Sequence, residues 1–342
     1  MAQTRKRSSK ASFNKTRKSS KKSALNKVEE KQVDSKIKSA IRKNNTLKYF
    51  NANSSDNGVA PKTSTVSNKN EVSVIGFSST TEFSSTSPSA ALKYGQQDIY
   101  PLYLSRPFPS TGGTTAANQQ SMDGQNCLPK MAKSIFSIER VAYAVEDDDE
   151  GLLKQKASRS LPISYRIIKV AFKNVAGTTQ TINPNIDLFR SVIGQEKGID
   201  SDDFDRLDCK YAKINTDKYT KLMDIQGTIS QNNIITPVIH PRTSGNATNA
   251  FAQKNGKSHM DLTVNFQLSS RKNGKMFYID PNVVGSNAMK SPTSGGTRQM
   301  LFIHTWYDNG HNLLGGTGQG TAPDENDLQI KNRSMSAFID TA

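Results

Sequence analysis

Four histidines, two cysteines and 30 acidic residues are the groups in this 342-residue chain from which acid–base, nucleophilic or metal chemistry would be built. HTWYDNGH sets His304, Asp308 and His311, all metal-ligand types, within eight residues. In a strand, His304 and Asp308 would share a face about 13 Å apart, too far to hold one ion unless the chain turns sharply after Asp308. Surface or hydrogen-bonded histidines are therefore the favoured reading. GGTGQGT (315–321) lacks the Lys-Ser/Thr pair and following helix of a phosphate loop, so it reads as a loop. Glu146-Asp147-Asp148-Asp149-Glu150 offers the oxygen atoms that Ca²⁺ prefers, but consecutive carboxylates seldom converge, and the alternating-ligand pattern with a central Gly is absent. A solvated loop is expected there, with a divalent ion between neighbouring subunits as the minority alternative. Cys127 and Cys209 are too few for a disulfide framework or a four-cysteine zinc site. His240 and His259 have no nameable partners, and Asn246-Ala-Thr248 is a formal glycosylation sequon without a secretion signal. No enzyme, cofactor or metal is expected.

The chemistry this chain does advertise is electrostatic. MAQTRKRSSKASFNKTRKSSKK carries Arg5, Lys6, Arg7, Lys10, Lys15, Arg17, Lys18, Lys21 and Lys22 with no acid. Residues 1–48 hold 16 bases against Glu29, Glu30 and Asp34, a net of +13; the whole chain is +16, so residues 49–342 are only +3. Like charges in such a block resist compaction, so the segment is expected to be disordered until it meets a polyanion, with nucleic acid the first candidate. A nuclear localisation signal would not need sixteen cations. A membrane-surface helix would want an apolar face, and the first 22 residues offer Phe13 alone. A transit peptide is Arg-rich, whereas Lys predominates here. No apolar run follows the basic start and no stretch of 18 apolar residues occurs, which predicts a soluble protein.

The elements behind this arm read as strands. Val33, Ile37 and Ile41 at i, i+4 and i+8 predict a marginal basic amphipathic helix over 23–43, and NANSSDNGVAPKTSTVSNKN has linker composition. Residues 1–70 are thus read as arm and linker, and 71–342 as one body. EVSVIGF (71–77), IYPLYL (99–104, an edge because of Pro101), SIFSIERVAYAV (134–145) and LPISYRIIKVAFKN (161–174) are strand candidates. DCKYAKINTDKYTKLMDIQGTIS (208–230) reads as two strands around Asn215–Lys218. SHMDLTVNFQLSS (258–270) and KMFYID (275–280) read as a hairpin about Asn273-Gly274. QMLFIHTWYDN (299–309) and SMSAFIDT (334–341) complete the set, and Pro184–Gln195 is the one helical stretch expected in the body. Eight to ten strands and one helix predict an all-β sandwich.

A β-rich body behind a long basic arm resembles a viral capsid protein with a single jelly-roll shell domain. The run Ile163–Asn174, KYAKINTDKYTKL, HMDLTVNFQLSSRKNGKMFYID, TRQMLFIHTWYDN and AFIDT is similar to the strand succession in capsids of small circular single-stranded DNA viruses, and the long loops look most like those of bacilladnaviruses. Lys272-Asn273-Gly274-Lys275, Phe277-Tyr278-Ile279-Asp280 and Leu301–Asp308 carry the resemblance, which covers the second half of the chain. It implies a coat protein of 60 or 180 copies, found in the virion and in the host nucleus during assembly. The arm's nine leading cations would package single-stranded DNA, and no membrane would be involved. Such capsids are also similar to shells of small RNA viruses, so a small RNA virus capsid is the first alternative. A cellular nucleic-acid-binding β protein with a basic tail is the second, and an enzyme acting on nucleic acid the third.

Overall fold

A computed structural model describes residues 31–36, 47–53, 60–63, 72–79, 93–102, 104, 126–141, 143–144, 161–173, 182–201, 203–230, 234–237, 250–253, 258–271, 274–278, 296–307, 322–325 and 327–340. The chain divides into two units, Met1–Thr46 and Leu47–Ala342. In the first, residues 31–36 are helical and exposed, inside the predicted amphipathic stretch; Ile37 and Ile41 lie outside the described residues.

The second unit is mostly β. Its strands of seven residues or more are β1 (Leu47–Asn53), β2 (Val72–Ser78), β3 (Asn126–Arg140), β4 (Ile163–Phe172), β5 (Tyr219–Ile229), β6 (His259–Asn265), β7 (Gln299–Tyr307) and β8 (Leu328–Asp340). They form two sheets. Sheet A runs β1-β8-β3-β6, and sheet B runs β5-β4-β7-β2 with Lys62–Thr63 at its far edge. Every pairing among the eight is antiparallel. Four of these pairings are nested, first strand with last, second with seventh, third with sixth and fourth with fifth. Strands β8 and β3, and β7 and β4, then join the nested pairs into sheets.

Sequence alternation explains the layering. Along β3, Ala132, Ser134, Phe136, Ile138 and Arg140 are buried while Met131 and Ile135 reach solvent, the pattern of a sheet with one covered face. In β7 all nine residues of QMLFIHTWY are buried, and in β2 all seven, the pattern of a sheet covered on both faces. Ile75, Phe77, Tyr165, Ile167, Leu301 and Ile303 of sheet B pack against Phe50, Phe136, Ile138, Val264, Ile330 and Phe338 of sheet A, with the Phe77 and Phe136 rings edge to face at 5.1 Å. On the other face of sheet B, Val74, Ile168, Val170, Phe302 and Trp306 meet Tyr94, Leu188, Phe189, Phe204 and Tyr219 in a second core. Each such apolar side chain stabilises the fold by about 1.5–3 kcal/mol.

The second core is built largely by the connection between β4 and β5. Asn183 caps the helix Pro184–Asp187 by accepting from the Asn185 N–H at 3.2 Å, with Pro184 pre-set in the first turn. Asp205 and Asp208 form a reciprocal capping box at the start of the helix Arg206–Tyr211. Gly198 lies against the backbone of the first helix, where an added Cβ would stand 2.1 Å from the Asn185 carbonyl oxygen, so only glycine fits.

Several expectations need correction. The segment Leu47–Asn53, read as arm and linker, is the edge strand of sheet A, because Tyr49 and Phe50 alternate across it and its backbone pairs with β8 throughout. The predicted helix over 184–195 ends at Asp187; Phe189–Arg190 and Glu196–Lys197 then form a small hairpin, whose turn places Gly194 at φ +83°, a left-handed conformation that a helix does not contain. Of the two strands expected in 208–230, the first is reduced to Lys213–Ile214, which pairs with Phe189–Arg190, because the capped helix Arg206–Tyr211 takes the residues before it. Met276–Phe277 does not return along β6 but pairs with Asn126–Cys127 of β3, so the segments before and after the expected turn, whose Asn273 lies outside the described residues, pair with the same strand. Tyr100–Pro101 is a two-residue edge strand parallel to β2.

Candidate nucleic-acid interface and buried polar network

All nine arm cations named above lie outside the described residues. In the chain, the arm runs directly into β1, the edge strand of sheet A. On the outer face of that sheet Tyr49, Met131, Ile135, Asp261, Thr263, Asn265, Lys331 and Arg333 are exposed. Cross-strand register places Tyr49, Ala337 and Met131 in one row, Asn51, Met335, Lys133 and Asn265 in the next, and Arg333, Ile135 and Thr263 in a third. Lys331, Ser137 and Asp261 follow. Three cations thus face two carboxylates, Asp261 and Glu139, with Lys331 and Glu139 3.7 Å apart. Tyr49, 57 % exposed, supplies an aromatic face at the edge of this array. Sequence reasoning missed this surface because Tyr49 sat in a segment read as linker.

The groups that suggested chemistry are used otherwise. His304 is wholly buried in β7, with Nε2 2.6 Å from the Tyr94 hydroxyl. Burial, aided by the Arg166 charge, lowers its pKa to about 3, so it is neutral at pH 7, while burial raises that of Tyr94. Both side chains are sealed in the second core, out of reach of any substrate in this arrangement. Asp308, His311, the glycine-rich 315–321, the acidic 146–150, His240 and the 246–248 sequon lie outside the described residues. His259 is half-buried on β6. Cys127 and Cys209 are free thiols, and burial lifts the Cys209 thiol well above its usual range. Among the described residues no three His, Cys, Asp or Glu side chains are grouped so as to hold a metal ion. Nor is any helix among them long and apolar enough to cross a membrane.

What the polar groups do is fasten the β4–β5 connection to sheet B. Arg166 of β4 reaches into the second core and donates through Nε and Nη2 to the two carboxylate oxygens of Asp224 on β5, at 2.9 and 3.0 Å. Its Nη1 donates to the carbonyls of Cys209 and Ala212 at 2.8 and 3.0 Å, so one guanidinium holds the end of the helix Arg206–Tyr211. Asp187, also buried, accepts from the Tyr219 hydroxyl, from Lys218 Nζ at 2.9 Å and from the Asn183 N–H at 3.0 Å. Lys197 bridges Asp203 and Asp208 at 2.9 and 2.7 Å. Between the sheets, Lys169 of β4 donates to the Asn265 carbonyl at the end of β6 and lies 4.7 Å from the Phe266 ring centre; burial lowers its pKa to about 8. These are hydrogen-bonded networks of the kind that position elements. No protein-family model and no curated protein sequence matches the chain.

Proposed function

We propose that this chain is a coat protein. Its body is a jelly roll that self-assembles into an icosahedral shell, and its basic arm gathers a single-stranded DNA genome inside. The observation that carries the reading is the nested strand pairing: rolling up one long hairpin of eight strands places β1, β8, β3 and β6 in one sheet and β5, β4, β7 and β2 in the other. The charge division supports it. The 46 residues ahead of β1, with 15 bases and 3 acids a +12 segment, would, unfolded, reach about 40 Å, enough to pass from a shell wall into packed nucleic acid. Phosphates repeat without sequence information, so a flexible row of cations suffices. Sixty arms would neutralise about 720 phosphates and 180 arms about 2,160.

Electron microscopy of the purified full chain tests the proposal. Uniform closed particles, with nucleic acid content that falls as arm cations are replaced by Gln, are expected; persistent monomers at high concentration would overturn it. The alternative of a coat around an RNA genome is separated by nuclease digestion of the extracted cargo. A cellular nucleic-acid-binding protein is favoured by one observation, the exposed Tyr49 on the face that carries Lys133 and Arg333, because aromatics beside cations stack on single strands. Monomers whose affinity for single-stranded oligonucleotides drops on Tyr49→Ala would establish that reading instead.

A further inference from the structure

Cations gather on one half of the outer face of sheet A. Lys133 stands in the row of Asn51, Met335 and Asn265, and Arg333 in the next, beside Ile135 and Thr263. Two further lysines extend the array toward the start of β1. On β3, Pro129 is opposite Phe338 and Met131 opposite Ala337, so Lys130 is the extra residue of a bulge, and a bulge re-aims the side chain it carries. Lys130 and Met131 are accordingly both exposed. Lys275 precedes Met276, which pairs with Cys127. Met276 is buried and Lys275 exposed, so strand alternation sets Lys275 on the outer face, beside Leu128.

None of Lys130, Lys133, Lys275 and Arg333 forms a salt bridge among the described residues. The carboxylates of this face lie at its other end. Asp261 is opposite Ser137, about 13 Å along the strands from Lys133, and Glu139 is farther on, beside Lys331. The four cations therefore occupy a stretch of about 20 Å along β3, the length of a short single-strand site of about four nucleotides. Apolar surface lies among them: the exposed Tyr49 ring, with Leu47, Met131 and Ile135.

We propose that this half of sheet A is a second nucleic-acid site, in which Lys130, Lys133, Lys275 and Arg333 neutralise the phosphates of a single strand and Tyr49 stacks on one of its bases. The proposal deepens the packaging reading and rests on it for the identity of the strand as genome. Charge selects the class of occupant, because four cations without a carboxylate among them call for a polyanion. The aromatic and apolar side chains between them select unpaired bases, whose flat faces a duplex keeps stacked inside. Position agrees. Leu47 is opposite Ile339 and Ile339 opposite Leu128, so β1 begins about 10 Å from Leu128, and the segment bearing the nine leading cations is attached at this end of the sheet. A strand gathered by the arm is thereby held at high effective concentration beside the site, and in a shell the outer face of sheet A is the genome side.

The test uses the full chain and short oligodeoxythymidylates carrying bromodeoxyuridine. Light-induced cross-links mapped by mass spectrometry should fall on Tyr49 as well as on residues 1–46; cross-links confined to residues 1–46 would overturn the site. In fluorescence anisotropy, Lys130→Gln/Lys133→Gln/Lys275→Gln should flatten the slope of log K against log salt by about 2. Lys62→Gln/Lys93→Gln/Lys213→Gln removes the same charge from other exposed positions of the body and should leave the slope unchanged; equal flattening by both triples would mean diffuse attraction and no site. Tyr49→Ala should weaken binding about 10-fold with the slope kept, and Tyr49→Phe should restore it, since stacking needs only the ring. None of the substituted side chains is buried, so melting temperatures should match wild type. A duplex bound as tightly as the single strand, or sedimentation altered by Tyr49→Ala without nucleic acid, would rule out the single strand as occupant. Closed particles with neither the Tyr49 cross-link nor the flattened slope would overturn the site and leave the coat reading standing. Wild type that stays monomeric yet gives both would support the site and overturn the coat reading.

Discussion

Replacing Arg166 by Met should loosen the β4–β5 connection. The guanidinium is 4 % exposed and makes two bonds to Asp224 and two to main-chain carbonyls. Removing one member of a buried pair costs about 3–5 kcal/mol, because the partner charge stays behind. Asp224 keeps some solvent contact, 18 % of its side chain, and has Lys221 3.7 Å away, so the lower end, about 3 kcal/mol, applies. For a body of this size that corresponds to a fall in melting temperature of about 6–12 °C, read by circular dichroism. The double replacement Arg166→Met/Asp224→Leu should recover at least about half of the loss, since no buried carboxylate is then left unpaired. Acid provides an independent check. Burial pushes the Asp224 carboxyl up, but the Arg166 bonds and charge, with Lys221, outweigh it and hold the pKa below the ordinary aspartate value. A folded pKa below the unfolded one contributes stability above about pH 4 that disappears as pH falls through the lowered value. A loss under about 1 kcal/mol for Arg166→Met, or a double variant no more stable than the single, would refute the argument that this guanidinium clamps the connection.

Three further outcomes follow from the same structure. His304 has a folded pKa of about 3, below its unfolded value, so the unfolded state takes up the proton first and stability should decline as pH falls from about 6.5 toward 3. His304→Gln should flatten that decline by about 2 kcal/mol at pH 4.5 in urea titrations, and identical pH profiles would contradict the assignment. Gly198→Ala should destabilise by about 1–3 kcal/mol and speed proteolysis within 182–217, because the new methyl meets main chain at Asn185 that cannot swing aside; wild-type melting would count against the packing described. For the arm, nine cations on a single strand predict that log K falls against log salt with slope of about −6, or about 4,000-fold weaker binding from 50 to 200 mM; scrambling residues 1–22 should leave this unchanged in fluorescence anisotropy, and a flat salt response would exclude diffuse phosphate binding.

The charge division at the start of the chain and the strands of the body are local properties, and the sequence alone determined them. QMLFIHTWY, ISYRIIKVAF and SIFSIER were legible as strands from their β-branched and aromatic residues, but that the first two are covered on both faces and the third on one came from the structure. Hydrophobic period records how each residue faces its own element. It does not record which distant element it meets. Only the tertiary structure decided that Leu47–Asn53 pairs with the far end of the chain, that Met276–Phe277 joins β3 rather than β6, and that His304 is spent on Tyr94 instead of on an ion. Those outcomes depend on backbone and side-chain partners more than a hundred residues away, and on which of them excludes water. Val192 and Ile193 are the converse case: their types are plain in the sequence, but they were read into a helix over Pro184–Gln195. Only the hairpin beneath them, anchored by Phe189, turns them outward into solvent.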